Sequence, residues 1–148
     1  MSMTTTHTKD RQARMGLLAR ANPTRLSALM PDLPPHDWLR PPESGAVMVQ
    51  GRVGASGGAF NLGEMSVTRC ALRLKSGAVG HAYIQGRDRD HAARAAAIDA
   101  LMQGPSAERI EADILSPLRR EEESSRRARA EKAAATKVEF FTMVRGED

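Results

Sequence analysis

The sequence predicts an α+β fold, a small and mostly antiparallel sheet packed by several helices. Three observations carry that prediction. Glu64–Leu74 and Ala78–Gln85 both alternate in strand fashion across the short turn Lys75-Ser76-Gly77, the pattern of an antiparallel hairpin. The stretch from Asp88 to Gly104-Pro105 has a polar start, a helical apolar stripe and a stop. Leu118–Lys137 is almost entirely charged residues and alanine, with acidic and basic residues four apart.

The totals agree with one ordinary core. A chain of 148 residues with 41% hydrophobic and 27% charged residues suits a single globular domain. Residues 1–9 are expected as a disordered tail and 10–148 as one α+β domain. Aromatic residues make up only 3%, so the core must rest on Val, Leu, Ile, Met and Ala. The net charge of +4 suits an anionic partner, although 22 basic against 18 acidic residues also fits an interleaved, solvated surface. Cys70 is the single cysteine, which excludes an intrachain disulfide and suits a reducing cytoplasm. In a strand beside Ala71 and Leu72 it reads as a small buried hydrophobe. The polar start MSMTTTHTKDRQAR has no apolar run for a signal peptide or membrane span.

Taken in order, Asp10–Met30 is expected as two short helices, with Met15, Leu18, Leu26 and Leu29 in the apolar stripe. Asn22-Pro23 interrupts them, because proline disfavours helix in the residue before it, and Asn22 ends one helix or caps the next. Met30–Pro42 is too rich in proline for a long helix or central strand. Its Trp38 is either a contact anchor for a partner or a lid on the core edge, the second being the plainer reading. Ala46–Val53 is a strand. The glycine-rich stretch after it lacks the Lys-Ser/Thr pair of a phosphate-binding Walker loop, and is expected as a flexible hairpin connection.

In Glu64–Leu74 the apolar alternation changes phase between Val67 and Cys70, which suggests a bulge near Arg69. Ala78, Gly80, Ala82 and Ile84 form a small-residue face on the third strand, against which a helix could pack closely. In the following helix Asp88 or Asp90 caps the start, Ala95, Ile98, Leu101 and Met102 are the buried stripe, and Gly104 suits a left-handed cap. Ser106–Leu115 reads as another helix with Ile110 and Ile114 inward, broken by Pro117. In Leu118–Lys137 the pairs Glu122/Arg126 and Glu123/Arg127 stand in the favourable order. Val138–Val144 is expected as a final strand with apolar residues on both faces, inside the sheet or under a partner, so that Phe140, Phe141 and Met143 are candidate interface residues with Trp38.

Chemistry has few footholds. The four histidines show no metal-ligand spacing, no nucleophile–base set is suggested, and no metal is expected. What remains is Gln85, Arg87, Arg89 and His91 around a helix start, where free amides and guanidinium groups could hold a phosphate or a partner's carboxylate. The alternative is that the arginines pair on the surface with Asp88, Asp90 and Glu64.

The segments QGRDRDHAARAAAIDALMQ, GEMSVTRCALRL with its Lys75-Ser76-Gly77 turn, and KVEFFTMVRGED, together with RMGLLARA near the start, resemble the PhnG family over about residues 14–148. That family is the G subunit of the bacterial carbon–phosphorus lyase core complex. The resemblance implies a partner of the H, I and J subunits, with I the nearest contact, and of an ATP-binding-cassette-type K or L component. It also implies a role in displacing adenine from ATP by a phosphonate, giving ribose 1-methylphosphonate 5-triphosphate. ATP would be a substrate of the complex, with no cofactor bound by this chain alone. The radical step belongs to the iron–sulfur subunit, and one cysteine here cannot hold such a cluster. The family supplies no catalytic residue to carry over, so the expected role is accessory, with helices that embrace a partner subunit. Two other readings compete: a free-standing basic module binding nucleic acid or phosphate, which lacks aromatics to stack bases, and a small enzyme using Arg87, Arg89 and His91.

Overall fold

The computed structural model describes residues 2–52 and 57–145, except for the side chains of 2–6, 52 and 143–145. The elements run α1 (Ser2–Arg20), α2 (Pro23–Leu29), β1 (His36–Arg52), β2 (Ala59–Leu74), β3 (Val79–Gln85), α3 (Arg89–Leu101), α4 (Ala107–Ile110), a π-helical turn (Glu111–Leu115) and α5 (Ser116–Arg145). They form an α+β architecture around a three-stranded antiparallel sheet in the order β1-β2-β3.

The β2–β3 hairpin follows the sequence pattern. Its pairing is unbroken from Val67↔Gln85 to Arg73↔Val79. Gly77 takes φ +95° in the turn, a conformation that glycine adopts without steric cost. The expected bulge near Arg69 is therefore not on β2. Opposite it the extra residues sit on β1, where the register slips between Trp38 and Arg40 and again between Arg40 and Glu43; a third slip, at Val49/Gln50, leaves the extra residue on β2, between Asn61 and Gly63. The second slip takes in Pro41-Pro42, which cannot donate to a ladder and is tolerated here because β1 is an edge strand. β1 accordingly starts at His36, ten residues before the expected Ala46, and β2 starts at Ala59 rather than Glu64. Of the glycine-rich connection, Val53, Gly54, Ala55 and Ser56 lie outside the described residues.

α3 lies across one face of the sheet, over Cys70, Leu72, Ala82 and Ile84, and is buried almost all round. The small-residue face of β3 permits this. A Cβ on Gly80 would come within 1.8 Å of the Ala96 carbonyl oxygen and 2.8 Å of the Ala100 nitrogen. Backbone thus rests directly on backbone, and α3 contributes five alanines among its fully or nearly fully buried positions, from Ala92 to Ala97. Leu72, Ile84 and Ile98 fill the space left over, each burial stabilising by roughly 1.5–3 kcal/mol. Leu101 and Met102, expected in the buried stripe, are half-buried at its end. Gly104 lies beyond the helix and does not take a left-handed φ.

α1 lies beside α3 and β3, and α2 continues the same layer. α1 starts at Ser2, so helix extends through the segment 2–9 that was expected as a tail. No glycine or proline stands between Ser2 and Met15 to stop it. Asn22 has extended backbone (φ −64°, ψ 124°) and caps α2, its side chain accepting from Thr24 N and Arg25 N at 2.9 and 3.1 Å.

The C-terminal third departs most from expectation. Pro117 does not break the helix. It falls in the first turn of α5, where a missing N–H costs little, and the π turn before it absorbs the change in hydrogen bonding. Nor is Val138–Val144 a strand: α5 runs unbroken through it. No glycine or proline interrupts the chain between Pro117 and Arg145, and among the described residues no free strand stands beside it, so helix propagation prevails over β-propensity.

Candidate functional site

The helix start singled out in the sequence is well formed. Asp88 is the N-cap (φ −80°, ψ 96°), its carboxylate accepting from His91 N at 2.9 Å. The carbonyl of Gly86 accepts from Thr68 Oγ1 at 2.7 Å, and Thr68 Oγ1 lies 2.9 Å from Ser44 Oγ, which ties the turn to the middle of the sheet.

The four candidate side chains do not converge there. His91 is buried, and its Nε2 lies 2.8 Å from the Leu18 carbonyl, so Nε2 is the protonated nitrogen and the ring joins α3 to the end of α1. Arg87 is exposed and donates through Nε to Ser66 Oγ at 3.3 Å. Arg89 is exposed in the first turn of α3, and Gln85 stands on the sheet face opposite α3, paired across from Val67. Among the described residues neither arginine forms the ion pair with Asp88, Asp90 or Glu64 considered above.

The remaining candidates separate in the same way. Trp38 packs partly buried against the core, edge-on to His36 with centroids 4.7 Å apart, which is the lid reading. Phe140 and Phe141 lie on α5 with 63% and 56% of their surfaces exposed. Met143 shares that helix, but its side chain is outside the described ones.

A polar centre that the sequence reading missed lies between α1, α3 and β3. Asp99 is fully buried within the apolar run AAAIDAL. Arg11 donates to it through Nε at 3.2 Å and Nη2 at 2.9 Å, Arg14 through Nη2 at 3.3 Å, and the His81 backbone N–H at 3.0 Å. Four residues on, Gln103 Nε2 donates to the Val79 carbonyl at 2.7 Å. Asp99 and Gln103 thereby satisfy two backbone groups on the free edge of β3, near its start. The hydrogen bond to Asp99 raises the Arg11 pKa above its ordinary value, against the smaller opposing effect of burial. With both oxygens occupied, Asp99 is a joint between elements rather than a catalytic base. The readable signal was a lone carboxylate inside an alanine-rich buried helix, matched by arginines three apart on another helix.

Burial also decides the role of Cys70. Its thiol donates to the Ala92 carbonyl at 3.2 Å, and desolvation pushes its pKa up to about 11, so it is an inert core residue as expected. Among the described residues no group of three or more His, Cys, Asp or Glu side chains is placed to hold a metal ion. No described helix is long and apolar enough to cross a membrane.

Two comparisons with known proteins bear on this arrangement. The family model described as "Phosphonate metabolism protein PhnG" matches residues 9–146. A curated protein of Rhizobium meliloti (strain 1021), named alpha-D-ribose 1-methylphosphonate 5-triphosphate synthase subunit PhnG, is 43% identical over 146 residues, covering 94% of this chain and 91% of the relative. A match across nearly the whole of both chains, α1 to α5 included, means that this chain belongs to the PhnG family of phosphonate metabolism proteins.

Proposed function

We propose that the chain is an accessory subunit of a ribose 1-methylphosphonate 5-triphosphate synthase, active only within a complex that transfers a phosphonate onto the ribose C1 of ATP with release of adenine. The observation that carries this is the 43% identity, over almost the full length of both chains, to the relative named as a subunit of that synthase. The partners are the H, I and J subunits of the carbon–phosphorus lyase core complex, with I the nearest, and a K or L component of the ATP-binding-cassette type. The complex works in the cytoplasm on ATP as substrate, and this chain brings no cofactor of its own.

The contact surface is α5 beyond its first turns. The helix has 30 residues, a length of about 45 Å. Its exposed part keeps Val138, Phe140 and Phe141 open to solvent, and Met143 lies on the same segment. A helix of this kind gains its stability from packing against another surface.

The experiment is co-expression of the tagged full chain with the H, I and J subunits, followed by size-exclusion chromatography. Co-elution in one large species is expected. A well-behaved monomer that ignores these partners would contradict the proposal.

A further inference from the structure

The sheet face opposite α3 carries a shallow cleft of about 340 Å3, lined by Met15, Arg40, Arg69, Ala71, His81 and Tyr83. The register explains why these side chains meet. Arg40, Ala71 and His81 are partners across the three strands, and Glu43, Arg69 and Tyr83 form the next row. Ala71 has only a methyl group and is buried, so it makes a floor. Arg40 and His81 stand on either side of it, about 10 Å apart at two strand spacings. Met15 of α1 makes one wall.

Unlike Arg11, Arg14, Arg20, Arg25 and Arg119, which all pair with carboxylates, Arg40 and Arg69 have no ion pair and no side-chain hydrogen bond among the described residues. Glu43, the carboxylate in the same row, pairs with neither of them. Two free guanidinium groups, an imidazole and a phenol hydroxyl therefore border one small concave surface. Tyr83 adds an aromatic ring with 51% of the residue exposed.

We propose that this cleft binds the polyphosphate tail of a nucleotide-like substrate or product. The proposal rests on the synthase reading for the identity of that ligand. Guanidinium groups grip phosphoryl oxygens with paired donors. Two of them, offset along the cleft, match a chain of phosphoryl groups better than a single carboxylate. The Tyr83 ring offers a face for a base or ribose beside them.

The test is calorimetric titration of the full chain, alone and in the co-purified assembly, with inorganic triphosphate, ATP and inorganic phosphate. The variants are Arg40→Ala, Arg69→Ala and Arg40→Lys, with Arg109→Ala on α4 as the control. Triphosphate should bind the wild type, and each alanine variant in the cleft should weaken it by about tenfold or more, the loss expected for a charged hydrogen-bonding group. Arg40→Lys should recover part of the affinity, and Arg109→Ala should leave it unchanged. Tighter binding of triphosphate or ATP than of inorganic phosphate supports the polyphosphate assignment; equal affinity for all three overturns it. Wild-type protein that binds no triphosphate in either form also overturns it, as do cleft variants that bind like wild type. Variants that keep triphosphate affinity but no longer co-purify would make the face a protein interface and end the proposal. Co-purification of the wild type is read separately and reports on the subunit role alone.

Discussion

α3 and the outer half of α5 are both alanine-rich helices, and they sit at opposite extremes of burial. α3 carries the run AARAAAIDAL and is enclosed by the sheet, α1 and α2. α5 carries ARAEKAAATK and is exposed along that whole stretch. Alanine favours helix in both places because it loses no side-chain entropy there. It does not say where the helix will lie. That is decided by the opposing surface. β3 offers Gly80, Ala82 and Ile84 to α3, so small meets small and the backbones touch. α5 between residues 126 and 137 has Arg126, Arg127, Arg129, Lys132 and Lys137 against a single Glu131, and every residue of that stretch is exposed. One helix completes the core; the other runs out of it.

The comparison can be broken most sharply at Gly80. Gly80→Ala puts a methyl carbon where the Ala96 carbonyl already stands, and backbone cannot swing aside as a side chain can. A loss of at least about 3 kcal/mol, or no folded protein, is expected in thermal or urea unfolding, at the upper end of overpacking costs. A stable Gly80→Ala protein would mean that α3 does not press on β3.

Next in size is Asp99. Asp99→Ala leaves the half-buried Arg14 without its carboxylate and frees the edge amide of His81. Breaking such a pair should destabilise by about 3 kcal/mol in the same assay. A change below about 1 kcal/mol would show that the carboxylate joint is dispensable.

Cys70 gives a smaller and pH-dependent effect. Its folded pKa is raised from 9.0 to about 11 by burial, so the folded state holds the proton more tightly than the unfolded state. Stability from this group is complete below about pH 9 and declines as pH rises through 11, by on the order of 2 kcal/mol. Cys70→Ala should remove that part of the alkaline slope. An unchanged slope between pH 9 and 11 would assign the effect elsewhere.

The sequence was most legible where local rules and the fold agree. The Lys75-Ser76-Gly77 hairpin, the Asp88 cap, the small face of β3 and the buried Cys70 all follow from turn chemistry, capping and alternation. It was least legible where tertiary surroundings decide. Val-Glu-Phe-Phe-Thr-Met-Val has strand-like composition, yet it continues a helix already propagating from Ser116. His91 looks like a companion of Arg87 and Arg89 in the sequence, but helix geometry turns it inward to Leu18. Glu122 looks like the partner of Arg126, but it accepts from Arg20 of α1 at 3.2 and 3.3 Å, and Arg126 turns to Glu123. Arg11 and Arg14 stand 88 and 85 residues from Asp99, so no local pattern joins the arginines to the carboxylate.

The central claim is that α5 beyond its first turns serves assembly and not the core. It is tested most directly by deleting residues 126–148 and measuring both thermal unfolding of the shortened chain and its co-elution with the H, I and J subunits. An unfolding midpoint within a few degrees of the full chain, together with loss of co-elution, is the predicted result, because Val138, Phe140 and Phe141 touch no described core residue. A shortened chain that no longer folds, or one that still enters the large species, would contradict it.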